Sequence, residues 1–227
     1  MNTFHVIRSA DLALGDRFST RNRNWRGRLR LTEARERVFQ AAFDHSERTG
    51  ESLKGYVNLL AWHSHPENDA RVCHAFYEKN AMGALRVGDV ADFLADAGSH
   101  CVTFETRNDI LQLREWLFEV VRRRTTPLGQ SRLDCCFSYV ELADARAYLA
   151  ECQRDGDPAR SRSIICALEV QDGARQAHYD RNLYDAVELD QPFTEAERRA
   201  RSYWSGETSD TPALECLTAG DVRLTAI

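Results

Sequence analysis

The segment Pro127–Ala145, P-L-G-Q-S-R-L-D-C-C-F-S-Y-V-E-L-A-D-A, changes character three times within a short span. Pro127 and Gly129 mark a turn. Ser131–Ser138 reads as a short strand that ends at Phe137-Ser138-Tyr139. A helix follows at once, over about Val140–Gln153, with Leu142, Ala145, Leu149 and Cys152 on its buried face. Ser138 is placed to cap that helix, with Glu141 completing a capping box. A Ser-Arg pair, an aromatic and a second Ser at such a junction suit a ligand that carries phosphates and a flat ring. They suit an ordinary strand-to-helix connection equally well.

Outward from this junction, strand signals gather at the two ends of the chain. Thr3–Arg8 alternates as a strand, Ser163–Val170 is the clearest strand, and Glu215–Leu217 with Val222–Ala226 reads as a closing pair around Gly220. The middle is helical. Thr32–Arg48 places Ala34, Val38, Ala41, Ala42 and His45 on one face, with Gly50 as its stop. Leu53–Trp62 is ambiguous between helix and strand, and Val72–Met82 and Asp89–Ala97 read as helices. Thr106–Arg124 is a capped helix that closes on three arginines, which complement its dipole. Arg17–Arg30 reads as an exposed loop, residues 171–195 as irregular, and Glu195–Tyr203 as a short helix. The pattern predicts an α+β fold rather than a βαβ alternation. It predicts one domain over residues 1–227, with a helical elaboration over about 32–126.

Composition narrows the function. The chain has 227 residues, 43% hydrophobic and 29% charged, as a globular protein does. Its net charge of −5 argues against general nucleic-acid binding and leaves local basic clusters open. Of its 30 basic residues only Lys54 and Lys79 are lysines. No run is long and apolar enough to span a bilayer, and Met1-Asn2-Thr3-Phe4 lacks the layout of a signal peptide. The seven cysteines form no C-x-x-C pair and read as reduced thiols in a cytoplasmic protein without a membrane partner.

His63-Ser64-His65-Pro66 resembles the H-S-H-P of JAMM-type zinc isopeptidases. The third ligand of that family is missing, since His74 and Tyr77 stand where its Ser-x-x-Asp would fall. A His-rich surface loop is the plainer reading, and no metal site is expected. Cys135 and Cys136 point to opposite faces of a strand, so at least one belongs to the core. Phosphate-loop and nucleophile-elbow motifs are absent.

Three dispersed elements carry a resemblance. They are Phe4-His5-Val6-Ile7-Arg8 with Gly15-Asp16, then Ser131-Arg132 through Phe137-Ser138, then Tyr203-Trp204-x-Gly206 with Leu214-Glu215-Cys216-Leu217. Together the chain resembles the ADP-ribosyltransferase superfamily, in its branch of bacterial uncharacterised domains and effectors. The resemblance covers the first 16 residues and roughly 127–227. It implies a split antiparallel β core that binds NAD, and an enzyme that transfers ADP-ribose to an unknown acceptor, a protein side chain, a nucleic acid or a small molecule, with a macromolecule expected. It implies that Glu215 is catalytic, stabilising the oxocarbenium-like cation left when nicotinamide departs. It implies that His5 or Arg8, Ser131, Arg132, Phe137 and Ser138 hold the dinucleotide. His5 and Arg8 alternate to opposite faces of a regular strand, so both line one cleft only across a bulge or a strand end. Ala213 replaces the first acid of the E-x-E pair of arginine-directed members. The alternatives are a catalytically degenerate interaction module of the same fold and a zinc-dependent hydrolase using His63 and His65. Replacing Glu215 by alanine is expected to stop nicotinamide release with the fold intact.

Overall fold

A computed structural model describes residues 3–8, 12–63, 70–79, 85–98, 106–154 and 162–227. The chain divides into two compact units. One contains Met1–Arg28, Thr126–Tyr184 and Ser202–Ile227; the other contains Leu29–Thr125 and Asp185–Arg201.

The first unit holds a seven-stranded antiparallel sheet. Its strands are β1 (Thr3–Arg8), β2 (Arg17–Ser19), β3 (Cys136–Tyr139), β4 (Ser163–Val170), β5 (Arg175–Asp180), β6 (Leu214–Ala219) and β7 (Asp221–Thr225), in the spatial order β2-β7-β4-β1-β3-β6-β5. Helices α1 (Trp25–Leu29), α7 (Leu142–Arg154) and α8 (Arg181–Asp185) flank it. The second unit is helical. It contains α2 (Glu33–Thr49), α3 (Leu53–His63), α4 (Ala70–Lys79), α5 (Val87–Gly98) and α6 (Thr106–Thr125), and most of α9 (Phe193–Trp204).

β6 and β7 do not pair with each other. β6 pairs with β3 and β5, and β7 pairs with β4 and β2, although Gly220 alone separates them. One continuous stretch therefore serves both halves of the sheet and brings them together at Gly220. The halves meet again at β1 and β3, where the register among the described residues is the pair Phe4–Tyr139 and side-chain bonds join Ser138 to Thr3 and His5 to the Phe137 carbonyl. β1 instead pairs along its whole length with β4, from Thr3–Leu168 to Arg8–Ser163. The result is one seven-stranded antiparallel sheet whose β1–β3 pairing is its shortest. Strand alternation sends Ile7, Cys136, Cys166, Leu168, Val222 and Leu224 to a common apolar interior, with Leu12, Phe18 and Val170 at its margin. The other face of β3, near Tyr139, packs Tyr148 of α7, with ring centroids 5.7 Å apart.

Asp180 ties the end of β5 to the segment that leads into β6. Its carboxylate accepts from the backbone of Asn182 (3.0 Å), Ser209 (2.7 Å) and Ala213 (3.1 Å), and from the Ser209 hydroxyl (2.6 Å). Burial opposes its ionisation, but these donors outweigh that and hold its carboxyl below the usual range.

In the helical unit, Thr32 caps α2 through the Arg35 amide (3.3 Å), and Gly50 ends it with φ 73°. Phe43 stacks on Phe193 at 5.0 Å, and Tyr56 meets Phe93 edge-on at 4.6 Å. The buried Asp109 accepts from Arg35, which also donates to Gln112 (3.0 Å). None of the described helices is long and apolar enough to cross a membrane.

Several local expectations change. Leu53–His63 is a helix, and Arg17–Arg30 contains β2 and α1. Residues 171–195 contain β5 and α8 rather than irregular chain. Ser131–Asp134 is a capped 3₁₀ turn, so the strand there begins only at Cys136. Ser138 does not cap α7, which starts at Leu142. Its hydroxyl donates instead to Thr3 Oγ1 at 2.8 Å inside the sheet.

Gly220 has φ 128°, and a Cβ there would lie 2.6 Å from Ala174 Cβ. Gly220→Ala is expected to cost at least about 2 kcal/mol of stability. Chemical denaturation measures this, and an unchanged midpoint would show that the crossing tolerates a side chain.

Candidate functional site

Three neighbouring strands, β1, β3 and β6, carry most of the sequence-predicted residues. Glu215 lies on β6, flanked across the sheet by Tyr139 of β3 and Tyr179 of β5. Its side chain is buried, at 5% exposure. Oε1 accepts two bonds, one from Arg132 Nη1 and one from the Tyr203 hydroxyl at 2.7 Å. Arg132 Nη1 also donates to the Tyr203 oxygen at 2.7 Å, which closes a three-membered network.

An aromatic wall surrounds this network. The Arg132 guanidinium carbon lies 3.9 Å from the Tyr184 ring centroid, 4.7 Å from that of Phe137 and 5.3 Å from that of Tyr203. Tyr179 stacks on Tyr203 at 4.7 Å and meets Trp204 edge-on at 5.0 Å. Burial first, and the Glu215 carboxylate with it, push the Tyr203 phenol well above its ordinary value, so it donates as a neutral hydroxyl. Local chain chemistry explains the placement. Ser131 Oγ accepts from the Leu133 amide (3.2 Å), and this 3₁₀ turn presents Arg132 just ahead of β3. Arg132 therefore orients Glu215, and its guanidinium is occupied there.

The second part of the site lies where β1 and β3 separate. His5 Nδ1 donates to the Phe137 carbonyl, which leaves Nε2 as the acceptor nitrogen. Desolvation lowers the His5 pKa to about 4, and the positive charges of Arg28 and Arg23 add to the effect. Cys136 Sγ lies 3.9 Å from Nε2, yet burial pushes this thiol up to about 12. The pair is a neutral imidazole beside a neutral thiol and supplies no thiolate nucleophile. Cys135 is likewise pushed up to about 12 by burial.

Phe137 joins the two parts. Its carbonyl binds His5, and its ring lies between Arg132 and Trp25, whose centroid is 5.5 Å away. A contact chain thus runs from the His5 ring to the Phe137 carbonyl, and from the Phe137 ring on the opposite face of β3 through Arg132 to Glu215. The other predicted residues stand apart from it. Ser138 is spent on Thr3 and the Cys216 carbonyl (3.5 Å), Ser131 caps the turn, and Arg8 pairs through its backbone with Ser163. Tyr203 and Trp25 were not singled out as ligand-site residues from sequence. The available signals were the Tyr203-Trp204 dipeptide and an indole within an arginine run.

His63 ends α3, while His65 lies outside the described residues. Among the described residues no group of three or more His, Cys, Asp or Glu is placed to hold a metal ion. The helical unit has its own polar cluster. His45 Nε2 donates to Asp96 (2.7 Å), and its Nδ1 accepts from Arg48 (2.7 Å). This cluster lines a groove of about 370 Å³ with Arg37, Gln40, Ala41 and Asp44, and ties α2 to α5.

Fold and site together define an α+β protein with a seven-stranded antiparallel sheet and a buried Arg-Tyr-Glu network on it. The chain belongs to the family described as "Protein of unknown function (DUF2441)", which matches residues 3–227. No curated protein matches it.

Two measurements check this geometry. Arg132→Ala leaves Glu215 buried without its cation and is expected to cost about 3–5 kcal/mol in chemical denaturation. A stability near that of wild type would mean that the pair is solvated. His5 stays neutral in the folded chain, whereas the unfolded chain takes up its proton near pH 6.5. Stability is therefore expected to fall as the pH drops from about 6.5 to about 4, by about 2–3 kcal/mol from this group. The same titration on His5→Gln should be flatter across that window, and an equal slope would remove His5 as the cause.

Proposed function

We propose that the sheet unit is an NAD-dependent mono-ADP-ribosyltransferase acting on a macromolecular acceptor. In this reaction the bond between nicotinamide nitrogen and the ribose anomeric carbon breaks. Its electron pair leaves with nicotinamide, and an acceptor nucleophile then bonds that carbon and loses its proton. The carrying observation is the chain of contacts from His5 to Glu215 on three adjacent strands. Glu215 suits a cation-stabilising role because its carboxylate is held in one orientation before any ligand arrives. Its Oε2 takes no hydrogen bond among the described residues and is the oxygen left for a ribose hydroxyl. Phe137 and Trp25 offer flat apolar surface, and His5 Nε2 offers an acceptor. In this reading Arg132 positions Glu215 and leaves the dinucleotide phosphates to other cations. A cytoplasmic setting suits the six described cysteines, all of them buried free thiols.

A second reading has its own observation. Glu215 is nearly sealed under Arg132 and Tyr203, as in an interaction module of the same fold that has lost turnover.

Glu215→Ala is a poor test, because it strands the Arg132 charge in a buried site; the expectation of an intact fold is corrected on that ground. Glu215→Gln keeps an oxygen for Arg132 and Tyr203. It is expected to fold and to release nicotinamide from NAD at least about a hundredfold more slowly than wild type. Retained turnover in Glu215→Gln would sink the catalytic assignment. Wild-type protein that neither binds NAD in calorimetry nor releases nicotinamide would leave the module reading.

A further inference from the structure

We infer that Arg17–Arg28 forms a nucleic-acid-binding surface on the sheet unit, one that grips the phosphate backbone. The segment holds five arginines and no acid, a charge of +5 in a chain whose other residues sum to −10. Such segregation creates a local positive field on an otherwise acidic protein.

The segment is also built on a fixed frame. β2 pairs with β7 through Arg17–Arg223, Phe18–Val222 and Ser19–Asp221. The Thr20 amide donates to the Gly220 carbonyl (3.0 Å), and Thr20 Oγ1 accepts from the Gly220 amide (3.0 Å). Asn24 Oδ1 accepts from the Gly27 amide (3.0 Å). Phe18 packs against the interior core, and Trp25 packs against Phe137. The apolar and uncharged polar residues thus anchor the segment, while Arg17, Arg21, Arg23 and Arg28 are exposed. Arg28 lies over the Trp25 ring at 5.6 Å, and Arg26 reaches Asp134 at 3.8 Å. The contact of Trp25 with Phe137 places the surface beside β3.

Charge complementarity selects the occupant. Guanidinium forks match phosphate oxygens, and several of them on a rigid frame match a chain of regularly spaced anions. A bilayer is a poorer fit, because the two aromatic residues of the segment face into the protein and leave no apolar anchor. The inference stands apart from the proposed transferase chemistry, since it needs neither NAD nor turnover.

Fluorescence anisotropy with a labelled single-stranded oligonucleotide of roughly twenty nucleotides tests it. Four phosphate contacts predict a log–log salt slope of about −3, and so about fiftyfold weaker binding at 200 than at 50 mM salt. Arg23→Glu with Arg28→Glu is expected to abolish binding, and Arg23→Lys with Arg28→Lys to keep most of it. If the charge-reversed protein fails to melt cooperatively, Arg21→Ala with Arg23→Ala takes its place and should reduce the slope by about half. No binding at low salt would overturn the inference. So would binding indifferent to these substitutions, or displacement of the oligonucleotide by equal charge concentrations of polyglutamate or phosphatidylserine vesicles.

Discussion

One residue, Gly220, joins strands from opposite halves of the sheet, and the rest of the sheet unit follows from that. The two halves cannot separate at this point, because β6 and β7 are covalently continuous through it. They pair again at the opposite limit through Phe4–Tyr139, the register pair of β1 with β3 among the described residues. Between these two fixed points the faces must enclose an interior, which Ile7, Cys166, Leu168, Val222 and Leu224 fill. The positive φ and the close approach of Ala174 make glycine the residue that permits the crossing.

The same geometry leaves β1 and β3 short of a full ladder, and side-chain bonding takes over there. His5 supplies a donor to the Phe137 carbonyl. On the other side of β3 the sheet carries a charge pair instead of a core. A buried carboxylate is costly in an apolar wall unless its charge and lone pairs are met. Arg132 and Tyr203 meet them at one oxygen, and the Arg132 cation lies against the ring faces of Tyr184 and Phe137. This arrangement holds a buried charged strand position in place with its carboxylate already oriented.

Much of the architecture was readable in the sequence, for identifiable reasons. The α2 boundaries follow from Thr32 and Gly50, whose backbone requirements are local. β4 announces itself through Ile164, Cys166, Leu168 and Val170, and the α+β layout follows from strands at both ends. β6 and β7 were legible as strands but not as members of different halves, because pairing partners are set by tertiary geometry rather than by the turn between them. Ser138 illustrates the same limit. Its spacing to Glu141 reads as a helix cap, but the strand continues through it and gives its hydroxyl to Thr3. Arg132 was legible as a functional residue type, and its partner was not, since Glu215 and Tyr203 come from distant segments.

The pairing of β1 has a consequence for how the protein is made. Thr3 is synthesised well before its ladder partner Leu168, and the interior also needs Val222 and Leu224. β1 must therefore wait for β4 and β7 before its full ladder and the interior beside it can form. Leu29–Thr125 is encoded in that interval and carries much of a helical unit with its own aromatic core, so its local contacts can form while the sheet cannot. The chain thereby separates a fast-folding problem from a slow one. The slow one ends with the last strand, β7, which completes the enclosure on both sides of Gly220.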